Sequence, residues 1–379
     1  MQKAEIARRN DEANSHDSVP SLRSRTGLAQ PIRLGIIGCG VIGANHVANA
    51  TKSPVAELIA VADVMEERAR AAAEKFGVPS FYNNDEDLLN DERIEAVWLA
   101  MPTGVRTPIA FKALKKGKHV IIEKPAASKA SEIEEMIQLR GDRVVACCSP
   151  RRAFSGHAEA AAKCVASGAL GKIRVVRVRA IGGTPPNPSP NPPPWRQSMK
   201  LNGGGILVNW SCYDLDYLMQ IVNWQLQPRV VLAKWWPVAE KMSAYVAPGS
   251  DADSHYTAFI TCDDDIVLTM ERAEFSSAAT DQAWEIIGTE GTLHLPMVPQ
   301  RGKPNAVILD RFAPGEGIVS ETIWEEGQGG GPEGGVLEDF VRAVRENKEP
   351  KTTLERALVM QKITDAIYAS TETGEAVHI

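Results

Sequence analysis

An α/β chain in two parts is expected from this sequence. Residues 31–150 should form a doubly wound parallel sheet, and residues 151–379 an α+β domain on a large, open-faced, mostly antiparallel sheet. Three observations lead there. From Ile32 to about Cys148 short apolar runs alternate with helical stretches, the pattern of buried parallel strands joined by crossover helices. After Pro150 strand patterns recur without long helices between them, as antiparallel strands do. At 379 residues the chain is long enough for two domains and a large core.

The buried strands of the first part are Leu34–Ile37, Leu58–Ala62, Ala96–Ala100, Val120–Ile122 and Val144–Cys147. A helix over His157 to Ser167 then stops at Gly168 and Gly171. The strand Ile173–Ala180 carries Ile173, Val175, Arg177 and Arg179 on one side and Arg174, Val176, Val178 and Ala180 on the other, so one face is partly solvated. The proline-rich loop from Thr184 to Pro194, flanked by Trp195, reads as a rigid pocket wall. Gly203-Gly204-Gly205 opens a helix running to about Asn223. Strands follow at Arg229–Trp236, His255–Thr261, Ile266–Arg272, Ala283–Ile287, Thr292–Leu295, Ala306–Asp310 and Thr322–Trp324. Gly327–Gly335 is a flexible turn. Helices Val336–Glu346 and Leu354–Thr373 close the chain, with room to pack back on the first domain; Gly374 is a helix stop, and Glu375 to Ile379 a short extension. Residues 1–30 are polar, carry both charge signs and lack an apolar signal-like core, so a flexible arm is expected there.

Composition narrows the function. A formal charge of −6 without a basic stripe argues against a nucleic-acid partner. No run of eighteen apolar residues offers a membrane span. The six cysteines form no CxxC pair and no metal-like cluster with histidine, so no metal is expected; they read as reduced thiols in a cytoplasmic protein. An uncovered sheet face predicts a homodimer or homotetramer.

The segment from Pro31 to Asp63 is a strand, a glycine turn, a helix, a second strand and a terminal carboxylate. Gly38 would make the tight turn, Gly40 would admit a pyrophosphate close to the backbone, and Gly43 would let the helix pack on the strand. The N–H groups near Val41 and Ile42 would face the phosphates. Asp63, twenty residues beyond Gly43, would accept hydrogen bonds from an adenosine ribose. A carboxylate there repels a 2′-phosphate, and Val64, Met65 and Glu66 supply no compensating cation, so NAD is favoured over NADP. Ala100-Met101-Pro102-Thr103, at another strand end, would line the same crevice.

Two further constellations carry chemistry. Glu123-Lys124-Pro125 directly follows a strand, where a lysine would project toward the nicotinamide. Trp195-Arg196 precedes the glycine-led helix, on which Asn209, Tyr213 and Asp216 recur at helical spacing with Asp214 to the side. A polar stripe on an apolar helix is costly to bury unless it lines a wet or reactive site. Tyr213 is the candidate proton donor and acceptor. A nearby Lys124 ammonium, together with the positive nicotinamide ring, would lower its pKa, and Lys124 would steady the substrate oxygen. Arg152, Trp195, Arg196, Asn209 and Asp214 are candidate substrate contacts, and Asp216 a support for the helix.

These motifs, with Gly288-Thr289-Glu290-Gly291-Thr292 and the ending from Ala366 to Glu375, resemble the glucose–fructose oxidoreductase / inositol dehydrogenase / MocA family over about residues 31 to 379. The resemblance implies a Rossmann domain, an open-sheet domain, and redox chemistry on sugars or cyclitols with NAD(P) in dimers or tetramers. It assigns Lys124 to the lysine of the family's Glu-Lys-Pro motif, whose Lys–Pro bond is often cis. The chain departs from the inositol dehydrogenases in placing Tyr213 where they have a catalytic histidine. Asn209 stands where many members have aspartate, and Thr103 and Arg106 replace a common asparagine and histidine. A tyrosine is shared with the glucose–fructose oxidoreductase branch. The expected activity is therefore that of an NAD-dependent dehydrogenase or reductase acting on CH–OH of a sugar, glycoside or cyclitol. The alternative is a redox-assisted glycoside hydrolase or lyase that retains and recycles its NAD.

Overall fold

The computed structural model describes residues 30–328 and 334–379. The arm expected over 1–30 thus lies outside the described residues but for Gln30, as do residues 329–333 of the glycine-rich turn.

The first sheet has six parallel strands: β1 (Ile32–Ile37), β2 (Ala56–Ala62), β3 (Ser80–Tyr82), β4 (Ala96–Leu99), β5 (His119–Ile122) and β6 (Val145–Cys147). Their order is β3-β2-β1-β4-β5-β6. Helices α1 (Val41–Ala50), α2 (Glu66–Phe76), α3 (Asp85–Asn90), α4 (Thr103–Lys115) and α5 (Ala130–Leu139) connect them. β1 and β4 are apolar almost throughout because helices cover both faces. Strand order reverses between β1 and β4, and that is where a crevice opens at the strands' carboxyl ends. The short β3 escapes sequence reading because its three residues are only partly buried and carry no apolar run.

After α6 (Gly156–Ala166) the second sheet begins with β7 (Ile173–Gly183). It continues through α7 (Met199–Asn202), α8 (Cys212–Ile221), β8 (Pro228–Pro237), β9 (Asp253–Cys262), β10 (Val267–Ser276), β11 (Asp281–Gly288), β12 (Gly291–Leu295), β13 (Ala306–Ala313) and β14 (Gly317–Glu325). The chain ends with α9 (Val336–Glu346), α10 (Leu354–Thr373) and β15 (Val377–His378). The nine strands lie in the order β14-β13-β12-β11-β7-β10-β9-β8-β15, antiparallel except for the β7–β10 pair. Alternation sets the faces. Val176, Val178, Val231, Tyr256, Ala258, Ile260, Leu268 and Met270 are buried beneath the helices. On the opposite face Leu232 and Phe259, cross-strand partners, remain about half exposed at 51% and 50%.

The last two helices join the two sheets. Leu337, Phe340 and Val341 of α9 complete the same core as Ile32, Leu34 and Trp98. Arg345 pairs with Glu95 and bonds the carbonyls of Gln30 and Pro31. α10 lies between α5 and β8, and Asp365 accepts the Ala130 N–H at 2.8 Å.

Candidate active site

The glycine turn at the β1–β4 switch is built around close approaches. Gly38 has φ +96°, and a Cβ there would lie 2.5 Å from the Ala100 carbonyl oxygen. A Cβ on Gly43 would lie 1.7 Å from the Gly38 oxygen, so α1 packs directly on the turn. Around Gly40 nothing lies within 4 Å of such a Cβ. α1 starts at Gly40 with no side-chain cap and no acidic residue in its first turn. Its free N–H groups and positive dipole end therefore face open space, a setting for a phosphate. Asp63 ends β2 beside it, its carboxylate fixed by the N–H groups of Cys39 (2.8 Å) and Met65 (2.9 Å). Val41 and Val64, on either side, are exposed apolar side chains. An uncapped helix start, an empty glycine cradle and an oriented carboxylate together fit a dinucleotide. Ala100 lies at the end of β4 with its N–H on the Ile37 carbonyl (2.8 Å), and the Met101 carbonyl accepts from Arg106 (2.6 Å). Pro102 forms the N-terminal boundary of α4.

Glu123, expected to line the cofactor site, directly follows β5 and is buried, with both carboxylate oxygens engaged. Oε1 meets His46 Nε2 at 2.7 Å and the Arg151 guanidinium, and Oε2 accepts the Lys124 N–H at 3.0 Å. Burial alone would raise its pKa, but the His46 hydrogen bond and the Arg151 charge outweigh it and hold the carboxyl down at about 2. His46 stacks on Trp98 with ring centroids 3.9 Å apart. Glu123 thus positions His46, Arg151 and the Lys124 backbone. Lys124 precedes a cis Lys124–Pro125 bond, and its Nζ donates to the Asn209 carbonyl at 2.9 Å. The fully buried Arg106 ties this turn to the β4 end by bonding the carbonyls of Met101 and Pro125.

The helix facing Lys124 starts unusually. Asp253 of β9 accepts the N–H groups of Gly205 (2.8 Å) and Leu207 (2.7 Å), and residues Leu207–Ser211 are wound as a π-helix before α8 begins. Asn209 presents its carbonyl to Lys124, while its side-chain amide donates to the Arg196 carbonyl (2.9 Å). Lys124 Nζ lies 5.0 Å from the Tyr213 ring centroid, and the Arg151 guanidinium 6.0 Å. Burial pushes Lys124 down and Tyr213 well up; the cation opposing the rise most is Arg151. At Tyr213 desolvation outweighs the protein's own cations; the expected lowering drew on the positive nicotinamide ring as well as on Lys124.

Two expected substrate contacts lie elsewhere. Asp214 is fully buried; Arg272 grips both its oxygens at 2.8 and 2.7 Å, and the Trp284 indole N–H donates at 2.8 Å. It locks α8 to the sheet because an unpaired carboxylate could not stay in that core. Arg152 is displaced by its neighbour: Arg151 reaches Glu123 and Tyr213, whereas the Arg152 charge acts on His157 and Tyr217 between α6 and α8. Asp216 is also enclosed, accepting from Ser149 and, at 2.6 Å, from Thr352. Arg196 pairs with Glu274 at 2.7 Å and Trp195 is partly exposed beside it. Sequence reading missed Arg151 and His46. Only the spacing of His46, one helical turn past Gly43 on an otherwise apolar face, signalled the latter.

Residues 32–150 match the oxidoreductase family described by its NAD-binding Rossmann fold, and residues 162–379 match that family's C-terminal alpha/beta domain. The chain belongs to this oxidoreductase family. Among relatives of the family, myo-inositol 2-dehydrogenase from Thermotoga maritima is 28% identical over 197 residues, 52% of this chain and 56% of that protein. D-xylose 1-dehydrogenase (NADP(+)) 2 from Haloferax volcanii is 25% identical over 91% of this chain and 99% of its own length. The fold also superposes on levoglucosan dehydrogenase in complex with NADH and L-sorbose, with a TM-score of 0.77 at 21% identity over 93% of this chain and 99% of that one. An oxidoreductase domain protein from Kribbella flavida gives 0.78 at 22% identity over 93% and 100%. Among the described residues no helix of this family member is long and apolar enough to cross a membrane.

Proposed function

We propose that this protein is an NAD-dependent dehydrogenase or reductase for a CH–OH group of a sugar, glycoside or cyclitol. One observation carries the reading: Lys124, directly after β5 of the first sheet, has its Nζ 5.0 Å from the Tyr213 ring centroid. The activities of the inositol and xylose dehydrogenase relatives support the substrate class. Asp63, a carboxylate held at the end of β2 beside the glycine turn with no cation directly following it, supports NAD over NADP.

When bound, the nicotinamide accepts or returns the hydride. Tyr213 then exchanges a proton with the substrate oxygen, and Lys124 stabilises the charge that develops there. With its pKa raised, Tyr213 stays protonated at neutral pH, which suits reduction: its O–H proton goes to oxygen as hydride reaches carbon. In oxidation the phenol must first be deprotonated, with Arg151 and Lys124 as the stabilising cations. The oxidative rate should therefore rise with pH.

Residues 31–150 serve the cofactor and residues 151–379 the substrate and assembly. The uncovered sheet face around Leu232 and Phe259 favours a homodimer or homotetramer. Six buried free thiols suit a reducing, cytoplasmic setting.

The test is to incubate the protein with NAD and a panel of hexoses, glycosides and inositols, following NADH absorbance and product mass. NADH formation with loss of two hydrogens from one substrate supports the proposal; glycoside cleavage without NADH replaces it with the recycled-cofactor hydrolase. Lys124→Ala and Tyr213→Phe should each lower hydride transfer by roughly 100-fold or more while NAD titration stays intact. Full activity in either variant removes that residue's role.

A further inference from the structure

A concavity lined in part by Arg196, two hydrogen bonds removed from Lys124, is left unused by the hydride chemistry. It measures about 240 Å³ and is walled by Pro185, Pro192 and Pro193 of the proline-rich loop and by Tyr245, Ala247 and Phe275. An apolar protein cavity of about 150 Å³ suffices for benzene. The walls are fixed in place. Tyr245 donates its hydroxyl proton to the Pro185 carbonyl at 2.8 Å, and its ring lies 5.7 Å from that of Phe275.

Phe275 is held in an unfavourable conformation to make this wall. Its φ is +56°, in the left-handed region that a bulky side chain rarely enters. The β10–β7 register slips between Ala273 and Ser276, so Phe275 sits in a bulge. Such irregularities re-aim side chains near sites. The same bulge directs Glu274 onto Arg196 (2.7 Å) and Gln197 Nε2 (2.5 Å). Gln197 and Arg196 line the cavity as well, and the Gln197 Oε1 has no hydrogen-bond partner although the residue is 98% buried, with 2% exposure.

The cavity connects to Lys124 in two hydrogen bonds. The Arg196 carbonyl accepts from the Asn209 side chain at 2.9 Å, and the Asn209 carbonyl accepts from Lys124 Nζ at 2.9 Å. We propose that this cavity is a subsite for an apolar ring carried by the substrate, so that the preferred substrate is a glycoside with an aromatic aglycone rather than a free sugar. Prolines and aromatic faces suit such a ring, and the Arg196–Glu274–Gln197 group marks the polar edge where the sugar begins. The inference rests on the dehydrogenase reading for its sugar half, but binding of the ring is independent of turnover.

The experiment compares phenyl β-D-glucoside with methyl β-D-glucoside on the NAD-loaded protein, by calorimetric titration and by kcat/KM. Two variants alter the cavity: Ala247→Phe fills it, and Tyr245→Ala removes a wall. The phenyl glycoside should bind at least tenfold more tightly than the methyl one. Each variant should cut that preference about tenfold, with circular dichroism confirming the fold. Phenyl-selective binding that disappears in the variants, without turnover of either glycoside, upholds the subsite while sinking the dehydrogenase reading for glucosides. Equal binding of the two glycosides, or a preference unmoved by both variants, overturns the subsite even if both are oxidised.

Discussion

Glu123, His46 and Arg151 show how one buried carboxylate organises a site. Removing Arg151 leaves Glu123 with its histidine partner and takes away the cation that most opposes the rise of the Tyr213 pKa. Arg151→Gln should therefore lower oxidative kcat at least tenfold and shift the alkaline rise of the pH profile to higher pH; an unshifted profile would dissociate Arg151 from the tyrosine. The glycines give a paired prediction. Gly43→Ala must displace backbone, since its Cβ falls 1.7 Å from the Gly38 oxygen, and should lower both thermal stability and NAD affinity. Gly40→Ala meets no protein atom within 4 Å and has an ordinary φ of −68°, so it should keep Tm and lose NAD binding alone. Thermal unfolding beside NAD titration reads both. The placement of the glycine turn, Asp63, Lys124 and Tyr213 at strand and helix ends was legible in the sequence, because each follows or opens a strongly patterned element. The choice between Arg151 and Arg152, and the burial of Asp214, were not. Adjacent residues differ only in the direction their side chains leave the short turn after β6, and Asp214 becomes a core residue only once Arg272, from a distant strand, arrives beside it.

Among the elements, α6 and α8 carry a buried pair that reports on pH. His157 Nδ1 meets the Tyr217 hydroxyl at 2.8 Å. Burial, aided by the Arg152 charge, pushes His157 down to about 4 from 6.5. The unfolded chain then binds the proton more readily than the folded one, so stability is full above pH 6.5 and falls as pH drops toward 4, by up to roughly 3 kcal/mol. Asp216, raised to about 6 by burial, acts oppositely: its folded form favours the proton, so acidification stabilises. The informative quantity is thus the difference between proteins. The Tm of wild type should drop relative to His157→Gln between pH 6.5 and 4; parallel curves would place the titration elsewhere. α9 and α10 were read from sequence with the bounds they adopt: α9 is strongly amphipathic, and Gly374 in the left-handed region ends α10. The π-helical turn at Leu207–Ser211 was not, since it is imposed by the Asp253 carboxylate from β9 and leaves no trace in local spacing. β15 was likewise seen only as an extension: two residues become a strand by pairing with β8.

For the molecule as a unit, the uncovered sheet face is the feature with the clearest solution consequence. Phe259→Lys places a charge where two copies would meet, yet the side chain is already half exposed, so the fold of each subunit should tolerate it within about 0.5 kcal/mol. Sedimentation should show the proposed homo-oligomer shifting to monomers; a wild-type monomer, or an oligomer unchanged by the variant, would take the interface off this face. Both sheets were foreseeable from alternating against continuous apolar runs, whereas the way the chain's end joins them was only partly so, because pairings such as Arg345 with Glu95 link residues far apart in sequence.

That junction sets an order of events during synthesis. The hydrophobic core around Ile32, Leu34 and Trp98 is closed by Leu337, Phe340 and Val341, which leave the ribosome only after every strand of the second sheet except β15. Domains ordinarily fold in the order they are made. Here the nucleotide lobe, begun first, is completed almost last, and until α9 emerges it must wait with part of its apolar surface in water.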